Sequence, residues 1–226
     1  VLRLIHLLRT SIGAKLVMAA SGLVLLAFLV VHMVGNMKLF QGQAALNDYA
    51  AWLQGHPMLW VFRVAMLVFF GSHAYTGVRL AWENLRARPQ AYVRKIHLKS
   101  GIAGRFMLLS GALVLGFLIY HLLHLTLGVV GPQPQPALDA AGRPDVYARV
   151  VAGFRDPRFS VGYLLALGLL GFHLQHAVAS LFQTLGIHRQ TYQGLLRMFC
   201  PALTLIIVAG FASVPVSVLT GLIPPP

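Results

Sequence analysis

Ten histidines stand against only five acidic residues in this chain, and four of the histidines interrupt long uncharged stretches. An ionisable side chain in such a stretch is costly and usually functional. His32 and His121 come late in the first and third stretches; His73 and His173 come late in the second and fourth. Consecutive membrane crossings run in opposite directions, so the two pairs fall at two depths. At 1.5 Å per residue His32 and His121 lie roughly 24 Å from the inner end of their segments. His73 and His173 lie roughly 20 Å from the outer end, in the inner half of a ~30 Å hydrocarbon layer. Neutral imidazole is a good axial ligand for haem iron, and two imidazoles leave no open position, which suits electron transfer. Two facing pairs at two depths read as the ligands of two stacked haems. Zinc would want a closed set with cysteine or carboxylate, yet Glu83 is the only glutamate and every aspartate falls in a connection.

His124 and His176 each follow a candidate by three residues and could face the same way. His121 is preferred because it follows Ser110-Gly111 by the same interval as His32 follows Ser21-Gly22. His173 is preferred because Gly171-Phe-His173 matches Gly71-Ser-His73. Gly77 and Ala177 lie four residues beyond their histidines, on the same helix face. Alone they read as small residues that let helices pack closely; coupled to a histidine at matched positions in two helices, they favour a flat ligand against both. His6, His56, His97 and His188 lie at segment ends or in connections and read as solvated.

The elements that must hold these groups follow from composition. The 226 residues are 58% apolar and 10% charged, where soluble domains carry about 25% charge. Five runs are long enough to cross a membrane as helices: residues 16–37, 59–82, 106–130, 160–184 and 198–222. The first is too long for a cleaved signal peptide. The expected fold is an all-α integral membrane protein, one domain over 1–226, with five transmembrane helices of which the first four form a haem-binding bundle. Arg88-Pro89 should end the second helix. Gly131 to Pro136 cannot be helical, whereas Asp145 to Phe154 reads as a short amphipathic helix on the outer surface. Segment five is expected to start near Pro201, a tolerated first-turn position, and to kink at Pro215.

The net charge of +13 does not point to nucleic acid, because the basic residues gather at segment ends. Twelve of the eighteen Lys and Arg fall on one side, among them Arg3, Arg9, Lys15, Arg86, Arg105 and Arg197. The positive-inside rule then places the N-terminus in the cytoplasm and the C-terminus outside. That face suits anionic lipid or an acidic partner. Arg79 reads equally as a haem-propionate partner or a snorkelling arginine. Cys200 is the only cysteine, so a Cys-ligated cluster or a c-type haem must be sought on another chain.

The stretches Lys15-Leu-Val-Met-Ala-Ala-Ser-Gly22 leading to His32-Met-Val-Gly-Asn36, His73-Ala-Tyr-Thr-Gly77, Tyr147 through Val150-Val151-Ala-Gly-Phe154, and Gly171-Phe-His-Leu-Gln-His176 through Gly186 follow one another across nearly the whole chain. In order and spacing the chain resembles the di-haem cytochrome b membrane anchor of succinate dehydrogenase and fumarate reductase, in its single-subunit, five-helix form. The resemblance implies two haem b groups, held by His73 with His173 on the inner side and by His32 with His121 on the outer. It implies a flavoprotein and an iron–sulfur subunit on the cytoplasmic side, and a quinone, with menaquinone favoured over ubiquinone. It implies a multi-pass protein of the bacterial cytoplasmic membrane and leaves room for a higher oligomer. Electrons would then pass from the iron–sulfur subunit to the inner haem, the outer haem and the quinone. Some relatives carry a glutamate just before the fourth-helix ligand; here that neighbourhood is Gly171-Phe172, which argues against a glutamate proton path.

Two other readings exist. A cytochrome b of a hydrogenase or formate dehydrogenase would share the bis-histidine haems but not the flavin-bearing partner. A transporter or proton channel would hold no haem; many transporters show inverted repeats and broken helices, whereas the repeat here is parallel and segments one to four lack mid-helix proline.

Overall fold

The computed structural model describes residues 10–87, 102–134, 137–186 and 192–225. The helix stop at Arg88-Pro89, the basic residues at 88–99, and His6, His97 and His188 lie outside them. Helices follow in the order α1 (Ser11–Asn36), α2 (Gln43–Gly55), α3 (Met58–Arg86), α4 (Ile102–Arg105), α5 (Met107–His121), α6 (Val146–Arg155), α7 (Pro157–Thr184) and α8 (Gln193–Leu219). No strand occurs among the described residues. Five helical stretches are long and apolar enough to cross a membrane: Ser11–Gln41, Met58–Arg86, Met107–Thr126, Pro157–Thr184 and Gln193–Leu219. The five expected crossings are present, so the protein is an all-helical, multi-pass membrane protein. α1 packs on α3, α3 on α5, α5 on α7 and α7 on α1, closing a four-helix ring; α8 lies outside it against α7 and α1.

The bounds differ from the sequence expectation for identifiable reasons. α7 starts at Pro157, because Asp156 caps it by accepting from the Arg158 N–H at 2.9 Å and proline suits the first turn. The third crossing stops at Thr126, ahead of Gly128 and Gly131, which both take a positive φ. α8 starts at Gln193, so Pro201 lies inside the helix and not in its first turn, and the helix also runs on through Pro215. Membrane helices tolerate such prolines because neighbouring groups compensate.

Both membrane boundaries are marked on α3. Trp60 and Trp82 are largely exposed, and the guanidinium groups of Arg63 and Arg86 lie over their rings, each 4.8 Å from the centroid. The two tryptophans are separated by roughly 33 Å along the helix, about the thickness of a hydrocarbon core, and tryptophan favours the interface at each side.

One end of the bundle is capped. The connection after α1, the connection holding α6 and the C-terminal turn converge there, as alternating crossings require. Leu39, Leu46, Tyr147, Val151, Phe154, Val214, Val218 and Ile223 form one buried cluster. The expected amphipathic helix is therefore present as α6, but its apolar face is core and not a membrane-surface stripe. α2 was not anticipated. Its Asn47 is buried and ties the cap together: it donates to Asp145 at 3.0 Å and to Asp139 at 3.2 Å, and accepts from the Tyr147 N–H at 3.0 Å.

Candidate functional site

The repeated Ser-Gly steps explain themselves once the helices are assembled. Ser21 and Gly22 of α1 face His73 of α3: the serine oxygen is 3.3 Å from His73 Nδ1, and a Cβ on Gly22 would come within 3.3 Å of His73 Cε1. Ser110 and Gly111 of α5 face His173 of α7 in the same way, at 3.1 Å and 3.3 Å. The glycine lets the imidazole approach the neighbouring backbone and the serine meets its nitrogen. Each serine hydroxyl donates to its own helix, Ser21 to the Val17 carbonyl at 2.7 Å and Ser110 to the Met107 carbonyl at 3.1 Å. Its lone pairs are then left to accept a proton from Nδ1. That tautomer carries hydrogen on Nδ1 and leaves Nε2 with a free lone pair, the state a metal-binding histidine needs.

The second pair lies three helical turns away. Eleven residues separate Ser21 from His32, and eleven separate Ser110 from His121. At 100° per residue that interval returns to within about 20° of the same face and climbs roughly 16 Å. α1 and α5 thus each present, on one face, a serine at the level of His73 and His173 and a histidine one storey up. His32 and His121 face each other there, with ring centres 6.0 Å apart and planes at 84°. With metal–nitrogen distances of ~2 Å, that separation would let both imidazoles reach one metal ion. His32 stacks on Phe28 at 5.4 Å and meets Phe211 of α8 at 5.7 Å. His121 Nδ1 lies 3.4 Å from the Tyr163 hydroxyl.

His124 and His176, the alternatives to His121 and His173, are both held by close contacts with backbone. His124 sits in a widened, π-helical turn, Leu122–Thr126, that continues α5. It is wholly buried, and its Nε2 has no hydrogen-bond partner. Cβ atoms on Gly131 and Gly153 would come within 2.8 Å and 2.9 Å of that nitrogen. Backbone therefore closes the approach to that nitrogen. His176 packs on Gly104 of α4, where a Cβ would lie 2.9 Å from its Cε1. His173 thus contacts Gly111 of the third crossing, and His176 contacts Gly104 of α4, just ahead of it.

A Cβ on Gly77 would meet Met18 Cε at 3.3 Å, so α1 and α3 pack closely there. Arg79 pairs with Glu83, one turn on along α3, at 2.8 Å. Among the described residues no three His, Cys, Asp or Glu side chains group as a metal cage; the histidines come in twos. A cleft of about 270 Å³ lined by Gly171, Gln175, Pro201 and Thr204 opens between α7 and α8. Gly171 and Gln175 are each about 200° around the helix from His173, so the cleft belongs to the other face of α7.

Comparison with protein-family models, with curated proteins and with solved structures gave no match.

Proposed function

We propose that this chain is the membrane-anchoring, di-haem cytochrome b subunit of a succinate:quinone oxidoreductase of the bacterial cytoplasmic membrane. The observation that carries the reading is the two-storey set of histidines. Its lower pair is held at Nδ1 by serines, its upper pair stands 6.0 Å apart, and the fixed interval separates the levels. These residues fit haem better than zinc, because each level offers two imidazoles and, among the described residues, no third His, Cys, Asp or Glu to complete a zinc cage. His73 and His173 would hold one haem b, His32 and His121 the other. Bound there, haem supplies reversible one-electron storage within the bilayer. The protein's part is to hold four imidazoles in one tautomer and keep them from water, with Ser21, Ser110 and Tyr163 behind three of them.

In this reading the capped end faces outward. The opposite end, where most of the basic residues fall, meets the iron–sulfur subunit and through it the flavoprotein that handles the dicarboxylate. Quinone, menaquinone by family resemblance, is the membrane substrate. A cytochrome b of a hydrogenase or formate dehydrogenase would use the same histidines. Flavin co-purifying with the native complex separates the two, since only the succinate or fumarate enzyme requires it.

The test is a dithionite-reduced spectrum with haem quantified as the pyridine haemochrome. The expected result is a low-spin b-type spectrum with about two haems per chain, on the four-histidine count. A folded, colourless preparation from haem-replete cells would remove the proposal and favour a histidine-bearing transporter or proton channel.

A further inference from the structure

Tyr163 of α7 stands between two histidines of the third crossing. Its hydroxyl lies 3.0 Å from His124 Nδ1 and 3.4 Å from His121 Nδ1, and its ring is 5% exposed. A phenol has one proton to give and lone pairs to accept, so it can receive from one histidine and donate to the other. The metal-binding tautomer of His121 leaves a proton on Nδ1, which must find an acceptor. Tyr163 is the acceptor within reach, and its own proton then goes to His124 Nδ1. His124 is accordingly left with hydrogen on Nε2, the buried atom that has no partner. The ring cannot turn over to relieve it. Phe159 stacks on one side at 5.0 Å, Phe154 meets its edge at 6.4 Å, and Gly131 and Gly153 close the far nitrogen.

A wholly buried imidazole with one nitrogen lacking a protein partner costs stability. What it secures is the direction of one O–H bond. With the Tyr163 proton drawn toward His124, an oxygen lone pair faces His121. The widened turn Leu122–Thr126 makes this geometry available, because a π-helical turn advances fewer degrees per residue and sets His124 away from the direction of His121. We propose that Tyr163 is the positioning residue of the upper storey, oriented by His124, and that this pair sets the tautomer and basicity of His121 and thereby the potential of the haem it would hold. The inference rests on the di-haem reading above. It differs from the lower storey, where serines do the same work, and from His32, which has no hydrogen-bond partner among the described residues.

An acceptor on Nδ1–H raises the basicity of a ligating imidazole and so favours ferric iron. Removing it should raise the midpoint potential of that site alone. The experiment is potentiometric titration of the complete complex, with the two haems resolved by their low-spin EPR signals. Tyr163→Phe is expected to raise the upper-haem midpoint and leave the lower one at its wild-type value. His124→Leu should shift the same midpoint in the same direction by less, with an altered upper-haem EPR signal. His124→Asn, which puts a carbonyl oxygen near the place of Nδ1, should restore it toward wild type. An upper-haem midpoint unchanged in Tyr163→Phe overturns the inference, as does a shift in His124→Leu that His124→Asn fails to reverse. If Tyr163→Phe loses the upper haem altogether, the two His124 variants decide. Wild-type complex without haem would instead remove the underlying reading, an outcome distinguishable from any of these.

Discussion

The Ser110 hydroxyl oxygen lies 3.1 Å from Nδ1 of His173, across the interface between α5 and α7. With the serine's proton given to the Met107 carbonyl, its oxygen accepts from Nδ1 and favours the tautomer that keeps hydrogen there. Outer-shell partners of this kind typically change metal affinity 10–100-fold. Ser110→Ala should weaken haem retention at the lower site about tenfold, measured by competition with apomyoglobin, and leave the upper site unaffected. Equal losses at both sites would mean that the bundle, and not the ligand, had been disturbed.

His73→Ala should halve the haem content per chain. The remaining haem should show the spectrum of the His32–His121 site, since that pair faces itself independently one storey away. Pyridine haemochrome quantification of the variant checks this. Full occupancy of both sites would refute the ligand assignment.

Asn47→Ala should destabilise the capped end by about 1–3 kcal/mol, the usual cost of leaving buried polar groups unmade. It strips a donor from Asp145 and leaves the Tyr147 N–H without its acceptor. Thermal unfolding in detergent, followed by circular dichroism, should show a lower midpoint, with the haem spectrum unchanged below it. A variant as stable as the parent would mean that the cap contributes little to holding the helices.

The cap should withstand mild acid. The Arg143 backbone N–H, its guanidinium and the Ala141 N–H hold the Asp139 carboxyl below its ordinary range, and Arg158 does the same for Asp156. A depressed folded-state value means that the stabilisation is fully present above the unfolded value of about 3.9 and fades as pH falls through the folded one. A spin label at Ala140 should therefore report unchanged mobility from pH 8 to pH 5 and loosen only below about pH 4. Loosening near pH 6 would assign the clasp to some other group.

Much of this architecture was legible because lipid imposes simple demands. Uncharged runs of sufficient length must be helices, and a histidine inside one stands out against its surroundings. The two depths followed from alternating direction alone. The Ser-Gly repeat was visible, but its meaning was not. It read as a ruler toward His32 and His121, whereas the serines contact His73 and His173 on neighbouring helices. Such contacts depend on which helices adjoin, and periodicity within one helix does not carry that. Tyr163 went unnoticed for the same reason: a tyrosine near a helix end is an ordinary interfacial anchor until the fold sets it beside His121. The π-helical turn and α2 were also hidden. Leu122–Thr126 looks like plain helix, and α2 is held by Asn47 reaching residues about a hundred positions away.

The eleven-residue interval on α1 and α5 makes these helices intolerant of insertion. One extra residue between Ser21 and His32 would swing the histidine by about 100°, off the axis it shares with His121, while Ser21 still met His73. Length changes in this protein should therefore accumulate in the connections, and any that enter α1 should come in steps that preserve angular phase.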